Sequence, residues 1–313
     1  MSEGLYPHPD PPPLAGEGAS LQPCNRAPSP ASGGGSGWGL DRDVHGVAEI
    51  GFAVRDGRTR LTHLYERHPL RVLFPAGDVS TAVLVTTSGG LVAGDRITIA
   101  VKAAEDAVAH VTASAAEKIY RSTGATTRVE QYLQTEEGGW LEYLPPETIL
   151  FDHARLRRTT RVDLAPGAGF LGGGIIVFGR IAMGERFTDG LLHERWEVHR
   201  GDRLVWGDAL HVADDVAAIM AHPACFAGAD ACATLVLAPP DGDPRRFVEP
   251  ARGVQQRSAA EGVRAGVTAV SGLLVARWLG EPVALRRAYG ELACHLRHAA
   301  MGLPPRLPRL WHV

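Results

Sequence analysis

The chain has 313 residues, enough for one large domain or two of ordinary size. It is 45% hydrophobic and 21% charged, the balance expected of a soluble globular protein, and a net charge of −3 offers no basic excess for a nucleic-acid partner. It has no apolar run of about 18 residues to span a membrane, no basic-then-apolar export signal after Met1-Ser2-Glu3, and four cysteines (Cys24, Cys225, Cys232, Cys294) whose spacing matches no zinc motif and reads as reduced thiols of a cytoplasmic protein.

Residues 1–44 carry Pro9-Asp10-Pro11-Pro12-Pro13 and Ser32-Gly33-Gly34-Gly35-Ser36-Gly37. That composition buries too little apolar surface to offset its ordering entropy, so a disordered tail is expected, followed by one domain over residues 45–313. From Val47 onward the pattern is that of strands. Ile97, Ile99 and Val101 alternate with Arg96, Thr98 and Lys102, a period of two. Turn signals recur at Asp56-Gly57, Glu137-Gly138-Gly139, Pro166-Gly167 and Arg200-Gly201-Asp202, leaving segments too short for many helices. Arg96-Ile97-Thr98, Arg128-Val129-Glu130 and Arg161-Val162-Asp163 each read as the start of a strand, at spacings of 32 and 33 residues. Such a period suits stacked β units, and a plain antiparallel meander would look similar. Two helices are expected, one from about Pro244 to Ala259 and a stronger one from about Pro282 to Ala300. In the second, Leu285, Tyr289, Leu292, Leu296 and Ala299 form an apolar stripe; Arg286, Glu291, Arg297 and His298 fall on other faces; Gly302 and Pro304-Pro305 end it.

The glycine-rich run Thr86-Thr87-Ser88-Gly89-Gly90-Leu91-Val92-Ala93-Gly94-Asp95-Arg96 lies between two strand patterns. A phosphate loop needs Lys-Ser/Thr after its last glycine. Here Asp95 follows and would repel a phosphate, so Gly89, Gly90 and Gly94 read as a structural turn, with Asp95 and Arg96 a structural pair. Gly167-Ala168-Gly169-Phe170-Leu171-Gly172 is a literal G-x-G-x-x-G, but Ile175-Ile176-Val177-Phe178 after it favours a strand where a dinucleotide site needs a helix. A G-x-S-x-G elbow is absent; Ser88 lacks the leading glycine.

Four carboxylates, Glu142, Glu147, Asp152 and Glu185, sit in apolar, Gly/Pro-punctuated segments. The ordinary reading pairs them with arginines, Arg180 and Arg186 being at hand; the alternative is a polar path for a divalent cation, which carboxylates suit. Cys294/His298 and His295/His298 have helical spacings that suit a shared ligand or a solvated helix face. His222-Pro223-Ala224-Cys225 suits a soft metal or a turn with a packed thiol. Asp152-His153 as neighbours in a strand would point to opposite faces. The final Leu307-Pro308-Arg309-Leu310-Trp311 is rich in hot-spot residue types, so Arg309, Leu310 and Trp311 are expected to pack on the core or on a partner.

The run Arg71-Val72-Leu73-Phe74-Pro75, the glycine-rich segment, Ala115-Ala116-Glu117-Lys118-Ile119-Tyr120-Arg121-Ser122, Leu141-Glu142-Tyr143-Leu144-Pro145-Pro146-Glu147, Phe178-Gly179-Arg180-Ile181-Ala182-Met183-Gly184-Glu185 and Leu307-Pro308-Arg309-Leu310-Trp311 follow in an order that resembles the urease accessory protein UreD (UreH) family, from Gly46 to Val313. Gly172-Gly173-Gly174 stand where that family carries bulkier residues. The resemblance implies a mainly β fold with β-helix-like stacked strands and a few helices, and a chain that does not catalyse. It implies partners UreF, UreG and apo-urease, no nucleic acid and no membrane. It also implies Ni²⁺ passing through an internal tunnel, so that Glu142, Glu147, Asp152 and Glu185 are candidate transient nickel contacts, with no permanently bound cofactor. An interaction scaffold without a metal path, or a hydrolase using Ser88 or a carboxylate pair, are the competing readings.

Overall fold

Ile97, Ile99, Val101 and Ala103 are buried while Arg96 and Lys102 face solvent, so the period-two pattern of this segment does produce a strand with one face inward. The same rule organises the whole chain. The computed structural model describes residues 44–259 and 263–312; the tail expected over residues 1–44 lies outside them except for Val44.

In chain order the elements are β1 (His45–Arg55), β2 (Arg58–Arg67), β3 (Leu70–Leu73), β4 (Ser80–Thr86), β5 (Arg96–Ala103), β6 (Val108–Ala113), β7 (Glu117–Ile119), β8 (Thr127–Thr135), β9 (Trp140–Tyr143), β10 (Thr148–Leu150), β11 (Arg155–Leu164), β12 (Gly169–Phe178), β13 (Leu191–Arg200), β14 (Arg203–Ala213), α1 (Val216–Ala221), β15 (Ala231–Ala238), α2 (Arg245–Ala259), β16 (Arg264–Val270), β17 (Leu273–Gly280) and α3 (Pro282–Met301). Successive strands alternate between two sheets, and each coil lays its strand parallel to that of the coil before. One sheet has the order β14-β13-β11-β8-β5-β1-β2, the other β16-β17-β15-β12-β9-β6-β4-β3. The result is a β-solenoid of stacked strands, as the family resemblance implied. Antiparallel hairpins, β1–β2 and β13–β14, close both edges of the first sheet. No described helix is long and apolar enough to cross a membrane.

Parallel stacking sets like positions over one another. Along the short third side of each coil, Leu91 bridges Ile119, Ile119 pairs with Leu150, and Leu150 with Phe178. All four are no more than 2% exposed and form an apolar column. The expected repeat is in register at its first step, Arg96 beside Arg128, but Arg128 lies beside Arg157 and not Arg161. Arg161 falls inside β11 because the turn between β8 and β11 is shorter, so the strand starts earlier.

The second sheet is covered on its other face by α2 and α3, which pack on its antiparallel end, β12, β15, β17 and β16. Leu285, Tyr289, Leu292 and Leu296 of α3 are fully buried against Trp140, Leu171, Ile175 and Leu235. Each such side chain contributes about 1.5–3 kcal/mol. The helix starts where Glu281 accepts from the backbone N–H of Val283 and Ala284 at 3.0 and 2.8 Å, and ends at Gly302 with φ 65°. Two expectations for this helix are corrected. Ala299 is exposed, its place in the stripe taken by Ala288 and Ala293, and Arg297 is buried. The segment Gly172-Gly173-Gly174 permits close packing: a Cβ on Gly173 would lie 2.0 Å from the Thr234 carbonyl and 2.8 Å from the Tyr289 hydroxyl. The G-x-G-x-x-G segment is accordingly a turn leading into a strand.

The turn after β4 depends on its glycines unequally. Gly89 has φ 76° with open space around it, whereas Gly90 has φ 150° and a Cβ there would meet Tyr120 at 2.5 Å and the Lys118 carbonyl at 2.8 Å. Gly89→Ala is expected to cost about 1 kcal/mol, from backbone strain alone, and Gly90→Ala roughly 3 kcal/mol or more, from strain plus overlap. Chemical denaturation midpoints of the two variants test this ordering.

Candidate functional site

The four candidate carboxylates fall into two groups. Glu142 sits on β9 with Leu141 and Tyr143 facing the solenoid interior, so its own side chain points into the layer beneath α3. It is fully buried and accepts from Arg297 Nε at 3.0 Å, Arg297 Nη2 at 2.9 Å, His110 Nδ1 at 2.8 Å and Trp140 Nε1 at 3.2 Å. Burial pushes its carboxyl pKa up, but His110 and Arg297 together outweigh it and the net shift is downward. Because the carboxylate is acceptor-only, His110 Nδ1 carries the proton and Nε2 is left buried without a partner. Glu147 pairs with Arg286 of α3 at 3.3 Å, and that arginine also donates to the Trp311 carbonyl and lies over the Trp311 ring. These two acids therefore latch the helix layer to the sheet.

Asp152 and Glu185 form the other group, at a corner between loops. Asp152 Oδ1 accepts from the Thr188 N–H at 2.8 Å, the Thr188 hydroxyl at 3.0 Å and the Asp189 N–H at 3.2 Å, while its own N–H donates to Glu185 at 3.0 Å. Burial raises the Asp152 pKa, and these hydrogen bonds more than reverse it; Glu185 is lowered chiefly by its hydrogen bond from Arg180. Arg186 goes instead to Asp230. Asp152 and His153 are in a turn, not a strand: His153 has φ 63°, and its ring reaches both Asp152 at 3.5 Å and Asp189 at 3.2 Å. The opposite-faces expectation fails here because the alternation rule applies only to extended chain. Among the described residues no group of three or more His, Cys, Asp or Glu is arranged to hold a metal ion.

Sequence reading missed a polar seam inside the solenoid. Arg158 Nε pairs with Glu194 at 2.7 Å and its Nη1 donates to Thr148 at 2.7 Å; Trp196 Nε1 donates to Glu194 at 3.0 Å. Beside it, Thr160 donates to Gln131 and Gln131 to the Tyr143 hydroxyl, each at 2.7 Å. Glu117, one register step from Thr148, has its pKa raised by burial, and burial pushes the Cys232 thiol up to about 12. The only sequence signal was Glu117 inside the Ala-Ala-Glu-Lys-Ile-Tyr run.

The remaining candidates are structural. Gly89, Gly90 and Gly94 all have positive φ, and Asp95 is buried with its carboxylate accepting from the Val92 N–H at 2.9 Å. His298 is within 3.0 Å of the Leu303 carbonyl, an oxygen that its ring N–H caps, and Cys294 is half-buried with a raised pKa from burial. His222 and Cys225 form the expected turn, but the thiol is exposed, not packed. Trp311 is packed on its own core, stacked on Tyr289 with ring centroids 5.8 Å apart and donating to the Leu144 carbonyl at 3.0 Å. A flat apolar ring with one donor fits that slot and leaves no face for a partner. Arg309 stays exposed and Leu310 half-buried, lining a groove of about 890 Å³ with Leu73 and Phe74.

The Glu142 cluster yields a signed prediction. Its folded-state pKa lies below the ordinary 4.5, so its stabilisation is present above that pH and is lost as acid protonates the folded carboxylate. Glu142→Gln leaves Arg297 buried and unpaired, an expected loss of about 3–5 kcal/mol near pH 7. The gap between variant and parent in urea unfolding should narrow as the pH falls below 4.5.

Comparison with known proteins covers nearly all of the described chain. The family model for the UreD urease accessory protein matches residues 44–312. A urease accessory protein UreD of Magnetococcus marinus is 45% identical over 276 residues, 86% of this chain and 94% of that protein. UreD of Azorhizobium caulinodans is 40% identical over 269 residues, covering 85% and 95%, and UreD 1 of Methylobacterium radiotolerans is 38% identical over 290 residues, covering 92% and 98%. The chain is a member of the UreD family of urease accessory proteins.

Proposed function

We propose that the chain is a non-catalytic, cytoplasmic scaffold of urease maturation, joining UreF and UreG to apo-urease and letting Ni²⁺ pass during GTP-dependent insertion. Membership of the UreD family supports the urease role. The stacked β framework supports the scaffold role, since a backbone ladder joining every coil holds fixed distances between distant surfaces. The groove lined by Leu73, Phe74, Arg309 and Leu310 is the partner face on this reading, with Leu73 58% and Phe74 39% exposed.

The observation that carries the metal-transfer reading is the corner at Asp152. Its carboxylate is held by the Thr188 and Asp189 donors with the His153 ring beside it, and no arginine neutralises its charge. Glu142 and Glu147 are each compensated by an arginine of α3 and have less charge to offer a passing cation. Asp152 is thus the acid at which a cargo Ni²⁺ is met, with Glu185, itself paired with Arg180, holding the Asp152 backbone N–H in place. Oxygen ligands of this kind release such an ion more readily than a thiolate–imidazole cage.

Co-expression with the cognate urease and accessory proteins tests this. Asp152→Asn and Glu185→Ala are expected to lower urease nickel content severalfold with the complex still assembled. Glu142→Ala is expected to act through the amount of folded chain. Full nickel loading in the absence of the whole chain would overturn the assignment.

A further inference from the structure

The outer face of the seven-stranded sheet carries a row of basic side chains, with Arg128 and Arg157 at its centre. The strand registers set His45 of β1 beside Arg96 of β5, Arg96 beside Arg128 of β8, Arg128 beside Arg157 of β11, Arg157 beside His193 of β13, and His193 beside His211 of β14. Five are exposed and His193 is half-buried. Strands are about 4.8 Å apart, so the row runs about 24 Å across the sheet. Like charges directly opposite on neighbouring strands destabilise a sheet, and here three arginines stand in consecutive register. Among the described residues neither Arg128 nor Arg157 has a carboxylate within ion-pairing distance. His45 and His193 both titrate below the ordinary value, through burial first and then the neighbouring arginines, and the His193 and His211 Nδ1 atoms are 3.4 Å apart, so one ring donates to the other.

We propose that this row is a docking strip for the acidic stripe of a partner protein's α-helix, laid across the strands. A helix with carboxylates at i and i+4 or i+3 presents about one per 5.4 Å turn. Against a 4.8 Å row the mismatch over its five steps is about 3 Å, within the reach of flexible arginine stems. The surroundings disfavour a polynucleotide. The next outward row holds Thr98, Glu130 and Thr159 with only Arg195 as a cation, and the row beyond it carries Glu49, Glu197 and an Arg161 already paired with Asp163. A second phosphate strand would meet those acids. A second copy of the chain would bring an identical basic row.

The test uses the full chain and an alanine-based helical peptide with glutamates at alternating i+4 and i+3 spacings along one face. A scrambled peptide of the same composition and a single-stranded thymidine oligonucleotide serve as comparison probes in fluorescence-anisotropy titrations at low and high salt. The helical peptide is expected to bind, at least tenfold more weakly to Arg128→Glu/Arg157→Glu and more weakly at high salt, with Arg128→Lys/Arg157→Lys close to the parent. Arg128→Glu alone should raise the unfolding midpoint, because it turns two repulsive pairs into attractive ones. Equal binding of the scrambled peptide, tighter binding of the oligonucleotide, no loss on charge reversal, or a lowered midpoint would each overturn the proposal.

Discussion

Everything in this structure depends on the in-register parallel ladder. Each coil repeats the strand path of the coil before it, so a residue is stacked on whatever occupies the same position about 30 residues away. Backbone hydrogen bonding fixes this without regard to side-chain chemistry. Where the stacked positions are apolar, as in Leu91, Ile119, Leu150 and Phe178, the ladder yields a dry column. Where they are polar, as along Arg158 and Glu194, it yields a buried seam whose members must satisfy one another. Where they are basic and face outward, it concentrates charge in a line that the mean composition hides.

The helix layer is held by a different logic. Apolar burial along α3 supplies most of its attachment, but Glu142 and Glu147 fix where the helix sits, each meeting an arginine one face away. A buried ion pair is weak evidence for added stability, since desolvation offsets much of the attraction. Its value here is registry: Arg297 reaches one carboxylate, backed by His110 and Trp140, and no shifted position of the helix satisfies all three donors.

Local and periodic features were legible in the sequence. Both longer helices, the strand at Ile97–Val101 and the strand character of the segment after Gly172 are encoded by residues near one another in the chain. The stacking partner at Arg161 was misplaced because register depends on turn length, which strand patterns do not report. Arg297 looked like a solvent-facing residue because helical periodicity cannot see an acid 155 positions away. The Arg158–Glu194 pair was invisible for the same reason, its partners being 36 residues apart. His153 was misjudged because a left-handed turn residue does not obey strand alternation. Of the candidate acids, their arginine neutralisation was foreseeable in kind but not in partner: Arg180 was found, and the two arginines of α3 were not.

The hairpins at either edge of the first sheet bear on a question of growth. A parallel solenoid is by nature an open-ended polymer template: its last strand offers the same unpaired edge as its first, and a further coil, from this chain or another, would fit. Reversing direction at β2 and at β14 ends that repetition. The outermost strands no longer match the lattice they border, and β2 presents a dense mixture of charge from Arg58, Arg60, His63, Glu66 and Arg67. The molecule thereby has the internal order of a fibre with a fixed count of layers.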